Sequence, residues 1–280
     1  MNDPVTGHCL CGGVSFVVTF STENGINLCH CQMCRKQTGT LFSSWAIAER
    51  SAFSWQSGED QIQSYPSSPG HERTFCSVCG SQVPMTGGNQ VAIPMGLLNE
   101  DPGIRPQRHL FAASAYAGYP ISDELPQFEA APPEWGQRPE RSDAGDTIPG
   151  MINGGFLCGT LRFHITAPPT KIMHCHCSRC RKSRASAHVS NLYIDPDTFV
   201  WNAGEENVTL YTLTDTQHTI GFCKSCGATA PLVFPGLAIV PVGNLDDVVD
   251  VSNAPHIFCG SKAPWFTVMG HVPQFDTTPG

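Results

Sequence analysis

The stretch Cys29-His-Cys-Gln-Met-Cys-Arg-Lys36 returns as Cys175-His-Cys-Ser-Arg-Cys-Arg-Lys182, and nothing else in the chain restricts its folding so strongly. Cys31 and Cys177 lie at an offset of 146 (177 − 31), while Cys11 and Cys158, Cys79 and Cys226, and His109 and His256 all lie at 147 (158 − 11). A single one-residue gap over more than a hundred residues means a duplicated domain. So long a period also excludes a solenoid, whose repeats run to about 20 to 50 residues. The expected organisation is a first domain over 1–129, a Pro-rich linker over 130–150 that carries Ala-Pro-Pro and Arg-Pro-Glu-Arg, and a second copy over 151–280.

Fourteen cysteines in 280 residues could form a disulfide framework, but such frameworks spread their cysteines through small secreted domains. These are bunched as C-x-C, C-x-C-x-x-C and C-x-x-C, which is metal-ligand spacing. The opening Met-Asn-Asp-Pro-Val-Thr-Gly lacks an export signal, and no apolar run reaches about 18 residues. A cytoplasmic protein with no membrane partner is expected. With 40% hydrophobic and 14% charged residues the chain is globular, and a formal net charge of −8 argues against a nucleic-acid partner.

The apolar runs are short and broken by turns, so both domains read as mainly β. Strands are expected at Val17 to Phe20, Leu41 to Ile47 and Gln61 to Tyr65, and again at Ala187 to Tyr193 and Asn207 to Tyr211, with turns at Gly58 and Gly204. Val91 to Gly96 and Leu237 to Gly243 read as strand-like segments that end in a Gly turn. Cys9 and Cys11 are read on a strand, where residues two apart share a face and offer two sulphurs to one metal.

Zinc takes four protein ligands in structural sites and three where a position stays open for chemistry. The seven cysteines of the first copy therefore divide as four plus three. Cys9, Cys11, Cys76 and Cys79 would tie the start of the domain to its middle, while Cys29, Cys31 and Cys34, from one short loop, would leave a position for an incoming thiol. Arg35 and Lys36, like Arg181 and Lys182, follow closely enough to hold a substrate carboxylate or simply to stay solvated. His30 and His176 lie between ligands, and an extended backbone would turn them away from the metal.

These marks, Gly7-His-Cys-Leu-Cys-Gly-Gly-Val, Cys29 to Lys36 with Gly39 and Phe42, and Arg73-Thr-Phe-Cys-Ser-Val-Cys-Gly-Ser, resemble the family of glutathione-dependent formaldehyde-activating enzymes, which also includes centromere protein V. In the second copy they are Cys175 to Lys182, Phe222-Cys-Lys-Ser-Cys-Gly227 and Lys262-Ala-Pro-Trp265. The resemblance implies two tandem Mss4-like zinc-binding β domains. It also implies a carbon–sulfur lyase or synthase that acts on a glutathione-type adduct of an aldehyde, with Cys29, Cys31, Cys34, Cys175, Cys177 and Cys180 as catalytic zinc ligands. A non-catalytic zinc-stabilised scaffold is the alternative.

The copies depart from one another. Phe156 stands where Cys9 does, which leaves Cys158, Cys223 and Cys226, with Cys259 a conceivable replacement. His188 stands where Phe42 does and is expected to approach the second open zinc position as ligand or base. Lys262 and Trp265 answer Ala115 and Gly118. Such complementary losses fit one active half beside a scaffold, or a composite site between the halves.

Overall fold

A computed structural model describes residues 2–132 and 146–279, so most of the segment expected as the linker lies outside the described residues. The first half runs β1 (Val5–His8), β2 (Ser15–Val18), β3 (Ile26–Cys29), α1 (Gln32–Thr38), β4 (Ser43–Glu49), β5 (Phe53–Ser57), β6 (Ile62–Ser68), β7 (His71–Cys76), β8 (Met85–Gly87), β9 (Gln90–Pro94), β10 (Pro106–Leu110) and β11 (Gln127–Phe128). The second repeats it as β12 (Ile152–Gly155), β13 (Arg162–Ile165), β14 (Lys171–Cys175), α2 (Ser178–Arg184), β15 (Val189–Ile194), β16 (Phe199–Ala203), β17 (Val208–Thr212), β18 (Thr219–Cys223), β19 (Thr229–Ala230), β20 (Leu232–Phe234), β21 (Leu237–Pro241) and β22 (His256–Ile257).

The fold is mainly β in both halves, as the short apolar runs predict. The main sheets have the order β11-β10-β3-β4-β9-β8 and β20-β21-β15-β14-β22, and β10 and β22 run parallel to their neighbours β3 and β14. All four residues of β3 are buried, as befits a strand with neighbours on both edges and cover on both faces. Smaller sheets, β1-β2-β5 and β12-β13-β16, pack Phe16 and Phe163 into the core.

Two local expectations are corrected. Cys9 and Cys11 lie in the tight connection between β1 and β2, not on a strand; their sulphurs meet because the chain turns back on itself there, 3.3 Å apart. The third cysteine of each triad sits on a helix and not in a loop. Cys31 caps α1 by accepting the N–H of Cys34 at 3.4 Å, and Cys177 caps α2 through Cys180 at the same distance. A seven-residue helix shows no apolar periodicity, so the pattern could not reveal it. Gly39 ends α1 at a φ of 66°; Ala185 ends α2 at 51°, a left-handed position that costs a residue with a Cβ about 1 kcal/mol.

The halves share one continuous apolar core instead of filling two separate ones. Their contact follows a pseudo-twofold. Gly243 N–H donates to Gly39 O and Gly96 N–H to Ala185 O, and at both glycines the backbones approach so closely that a Cβ would meet Thr40 O at 2.4 Å or Ser186 N at 2.2 Å. Lys36 donates to Asn244 O and Asp246 Oδ1, both at 2.5 Å; Lys182 donates to Leu97 O at 2.8 Å and Asn99 Oδ1 at 2.7 Å. Each half thus sends the lysine of its cysteine motif into the other. Arg162 also pairs with Asp246, at 2.8 Å.

Candidate metal centres

Four groups of sulphurs form, each with its atoms within 4.8 Å of one another: Cys9, Cys11, Cys76 and Cys79; Cys29, Cys31 and Cys34; Cys158, Cys223 and Cys226; Cys175, Cys177 and Cys180. None of the fourteen cysteines is in a disulfide. Sulphurs about 2.3 Å from a tetrahedral ion lie roughly 3.8 Å apart, and Cys11 to Cys76 and Cys158 to Cys223 are 3.8 Å apart. All-thiol donor sets with this spacing are compatible with zinc and could hold it. Cys259 joins none of the groups.

Backbone N–H groups help to hold the sulphurs. Val14 donates to Cys9 at 3.3 Å and Gly13 to Cys11 at 3.4 Å, both from the turn that follows β1. The knuckle at Cys76 and Cys79 closes through Gly80, at a φ of 68°, whose N–H donates to Cys76 O. The second half has three sulphurs at this level because Phe156 stands in the sequence where the first half has Cys9, buried and edge-on to Trp201.

The first triad has a partner that motif spacing did not single out. From β7, Arg73 reaches Cys34 Sγ with both terminal nitrogens at 3.7 Å and is pinned by Gln37 Oε1 at 2.7 Å. Hydrogen bonds from Cys29 and Cys31, with the Arg73 charge, hold the Cys34 thiol well below the usual thiol range against the effect of burial. At the equivalent place the second half has Ile220, and there Cys177 is the lowered thiol, to about 2, through hydrogen bonds from Cys175 and Cys180.

Of the motif cations, Lys36 and Lys182 are spent on the other half. Burial lowers both ammonium groups to about 8, Lys36 despite Asp246. Arg35 lies over the Tyr116 ring at 5.6 Å and donates to His30 O at 3.3 Å. Arg181 is buried.

His30 and His176 turn away from the sulphurs. His30 Nε2 lies 2.8 Å from His109 Nδ1, and His109 Nε2 lies 2.9 Å from Asp123. Burial and then His109 lower His30 to about 3, so it is neutral. The second half keeps His176 to His256 at 2.7 Å but has Gly270 where the first has Asp123.

The expectation for His188 is corrected. Cys175 pairs with Val189 and His174 with Ser190 across the sheet, so His188 falls on the histidine face, opposite Cys175. It packs with His174, His176, His256 and Phe42, and neither ring nitrogen has a hydrogen-bond partner. Removing two orphaned polar atoms from the core outweighs a slightly larger ring, so His188→Phe is expected to raise stability by about 1–3 kcal/mol with zinc content unchanged. Thermal melting and metal analysis check this; a lost zinc would restore the ligand role.

The sequence model of the family described as glutathione-dependent formaldehyde-activating enzyme matches residues 4–114 and again 151–261. No curated protein matches. Among solved structures, a crystal structure of a Rhodobacter sphaeroides protein is similar at 22% identity, over 38% of this chain and 99% of that one, with a TM-score of 0.31. A likeness that slight carries no argument. Among the described residues, no helix is long and apolar enough to cross a membrane.

Proposed function

Because the chain belongs to the family of glutathione-dependent formaldehyde-activating enzymes, we propose that its first half is a zinc-dependent carbon–sulfur lyase or synthase for a glutathione-type thiol adduct of an aldehyde. The observation that carries this reading is the gathering of Cys29, Cys31 and Cys34, with no fourth His, Cys, Asp or Glu among the described residues, beside the Arg73 guanidinium. In the synthetic direction a C–S bond forms to the carbonyl carbon and the thiol proton ends on the carbonyl oxygen; the reverse splits the adduct.

Zinc held by Cys29, Cys31 and Cys34 would supply a Lewis-acidic position at which a thiol loses its proton readily. The chain's own residues do the rest. Arg73 offsets the negative charge that three thiolates and an incoming thiolate bring together, and Gln37 keeps it aimed at Cys34. Cys31, as helix cap, fixes the start of α1 and with it Cys34. The chain His30–His109–Asp123 anchors the backbone between Cys29 and Cys31 from the opposite face. Arg35 is the candidate to meet a substrate carboxylate, since Lys36 and Lys182 are both bound to the opposite half.

The second triad lacks the counterpart of Arg73, which supports a zinc-stabilised scaffold role for that half. Calorimetric titration of glutathione into the zinc-loaded chain tests both readings. Binding is expected to vanish when Cys29, Cys31 and Cys34 become serine, and to persist when Cys175, Cys177 and Cys180 do. Arg73→Ala is expected to weaken it about tenfold or more, the worth of a charge-assisted hydrogen bond. No binding to the intact chain would leave the non-catalytic zinc module as the reading of both halves.

A further inference from the structure

Buried hydrogen-bond donors without partners gather at the first triad. Ser43 stands directly across from Cys29 where β3 pairs with β4, so the two side chains share the face that carries the sulphurs. Its hydroxyl lies beside Cys34 yet is in hydrogen-bonding geometry with no atom, and the residue is only 6% exposed. Gln37 of α1 is 2% exposed and oriented by Arg73. Its Oε1 must be the end that accepts from the guanidinium, so Nε2 is the free end, a second buried donor with no partner. Arg73 adds two N–H groups at Cys34 and a buried Nε without a partner. Folded proteins rarely leave such groups unsatisfied, and a set of them around one sulphur suits an incoming acceptor.

We propose that Ser43, Gln37 and Arg73 form the place where the first centre receives the carbonyl or hydroxyl oxygen of its thiol adduct. The inference rests on the function proposed above and adds the residues that select an oxygen. As the C–S bond forms, the π electron pair of the carbonyl moves onto the oxygen, and the thiol proton ends there. Donors fixed in advance around that oxygen favour the step. The acceptor of Gln37 is already held by Arg73, so the groups on offer are donors. An oxygen accepts from them, whereas an amino group in its place would bring donors to donors.

The second copy has lost all three together. Ile220 stands for Arg73, Val189 for Ser43 and Ser183 for Gln37, and the Ser183 hydroxyl donates to Cys180 O at 2.9 Å. Cys175, Cys177 and Cys180 gather all the same. Bringing three sulphurs together therefore does not require the donors, and their presence in the first half calls for another role.

Thioacetate and propane-2-thiol are the probes. Each presents one sulphur on a carbon with two further branches, but thioacetate carries an oxygen where the other carries a methyl group, in the S–C–O order of the adduct. Both are titrated by calorimetry into the zinc-loaded full chain and its variants. Ser43→Ala and Gln37→Met are each expected to weaken thioacetate about tenfold or more and to change propane-2-thiol by less than about twofold. Ser43→Thr, which keeps a hydroxyl, should restore most of the thioacetate binding. Since the Ser43 hydroxyl has no partner in the fold, Ser43→Ala should melt no lower than the parent. Equal loss of both probes with a lowered melting temperature would make these side chains structural and overturn the proposal. Thioacetate binding indifferent to both variants, with propane-2-thiol bound as before, would overturn it alone. Neither probe binding to the intact chain would overturn it together with the reading on which it rests.

Discussion

Replacing Cys76 with alanine is expected to unfold the first half. Cys9, Cys11, Cys76 and Cys79 join the turn after β1 to the knuckle after β7, and structural zinc sites of this kind contribute on the order of 10 kcal/mol to folding. Whole domains are stable by only about 5–15 kcal/mol. Losing one ligand of four should therefore cost about 5 kcal/mol or more, along with the bound zinc. Circular dichroism melting and metal analysis measure both. Cys223→Ala is the control: that site gathers three sulphurs, and a buried Phe156 stands in the sequence where the first half has Cys9, so apolar burial already carries part of the load and the loss should be smaller. A Cys76→Ala protein that melts within a few degrees of the parent would remove the four-sulphur site from the folding argument.

The second large effect is expected at the contact between the halves. Asp246 is buried and holds two cations, Lys36 from the first half and Arg162 from its own. Asp246→Asn leaves the buried Lys36 ammonium, and beside it the half-buried Arg162 guanidinium, without their counter-charge, the situation that costs about 3–5 kcal/mol for a buried charge. Lys36→Met removes one charge yet leaves Asp246 paired with Arg162, and its unbranched chain fills much of the lysine's path, so about 1–2 kcal/mol is expected. Denaturant unfolding of the two variants gives the order directly. Lys36→Met proving costlier than Asp246→Asn would mean that Arg162, not Lys36, is the dispensable partner.

Much of this architecture was legible because it rests on spacing. The cysteine bunches fixed the division into four and three sulphurs, strand alternation placed His30 and His176 away from the metal, and the turns at Gly58 and Gly204 occupy left-handed conformations at 76° and 82°. The strand after the first triad was expected two residues early, since Leu41 and Phe42 are apolar but only Ser43–Glu49 pairs. What escaped the sequence is what depends on distant segments meeting. Arg73 lies 39 residues from Cys34, and β7 carries it there only once the hairpin with β6 has folded over α1. The lysines escaped for the opposite reason: a cation beside a metal motif suggests a ligand, and only the docking of the halves reveals Asp246. His188 lies eight residues beyond Cys180, but it directly precedes β15 on the face that Ser190 shares with His174, so nearness along the chain does not bring it to the sulphurs.

The exchange of lysines across the pseudo-twofold has a consequence for how such a chain can change. In a pair of identical subunits every substitution at the shared axis appears twice, facing itself, and must be tolerated in both places. Here the two sides are encoded separately and held in one-to-one pairing by the chain itself. Phe42 can face His188, and Asp123 can be kept on one side and lost on the other, with no mismatched pairing ever assembled. Covalent fusion thus turns a symmetric contact into a place where two unlike surfaces are free to specialise.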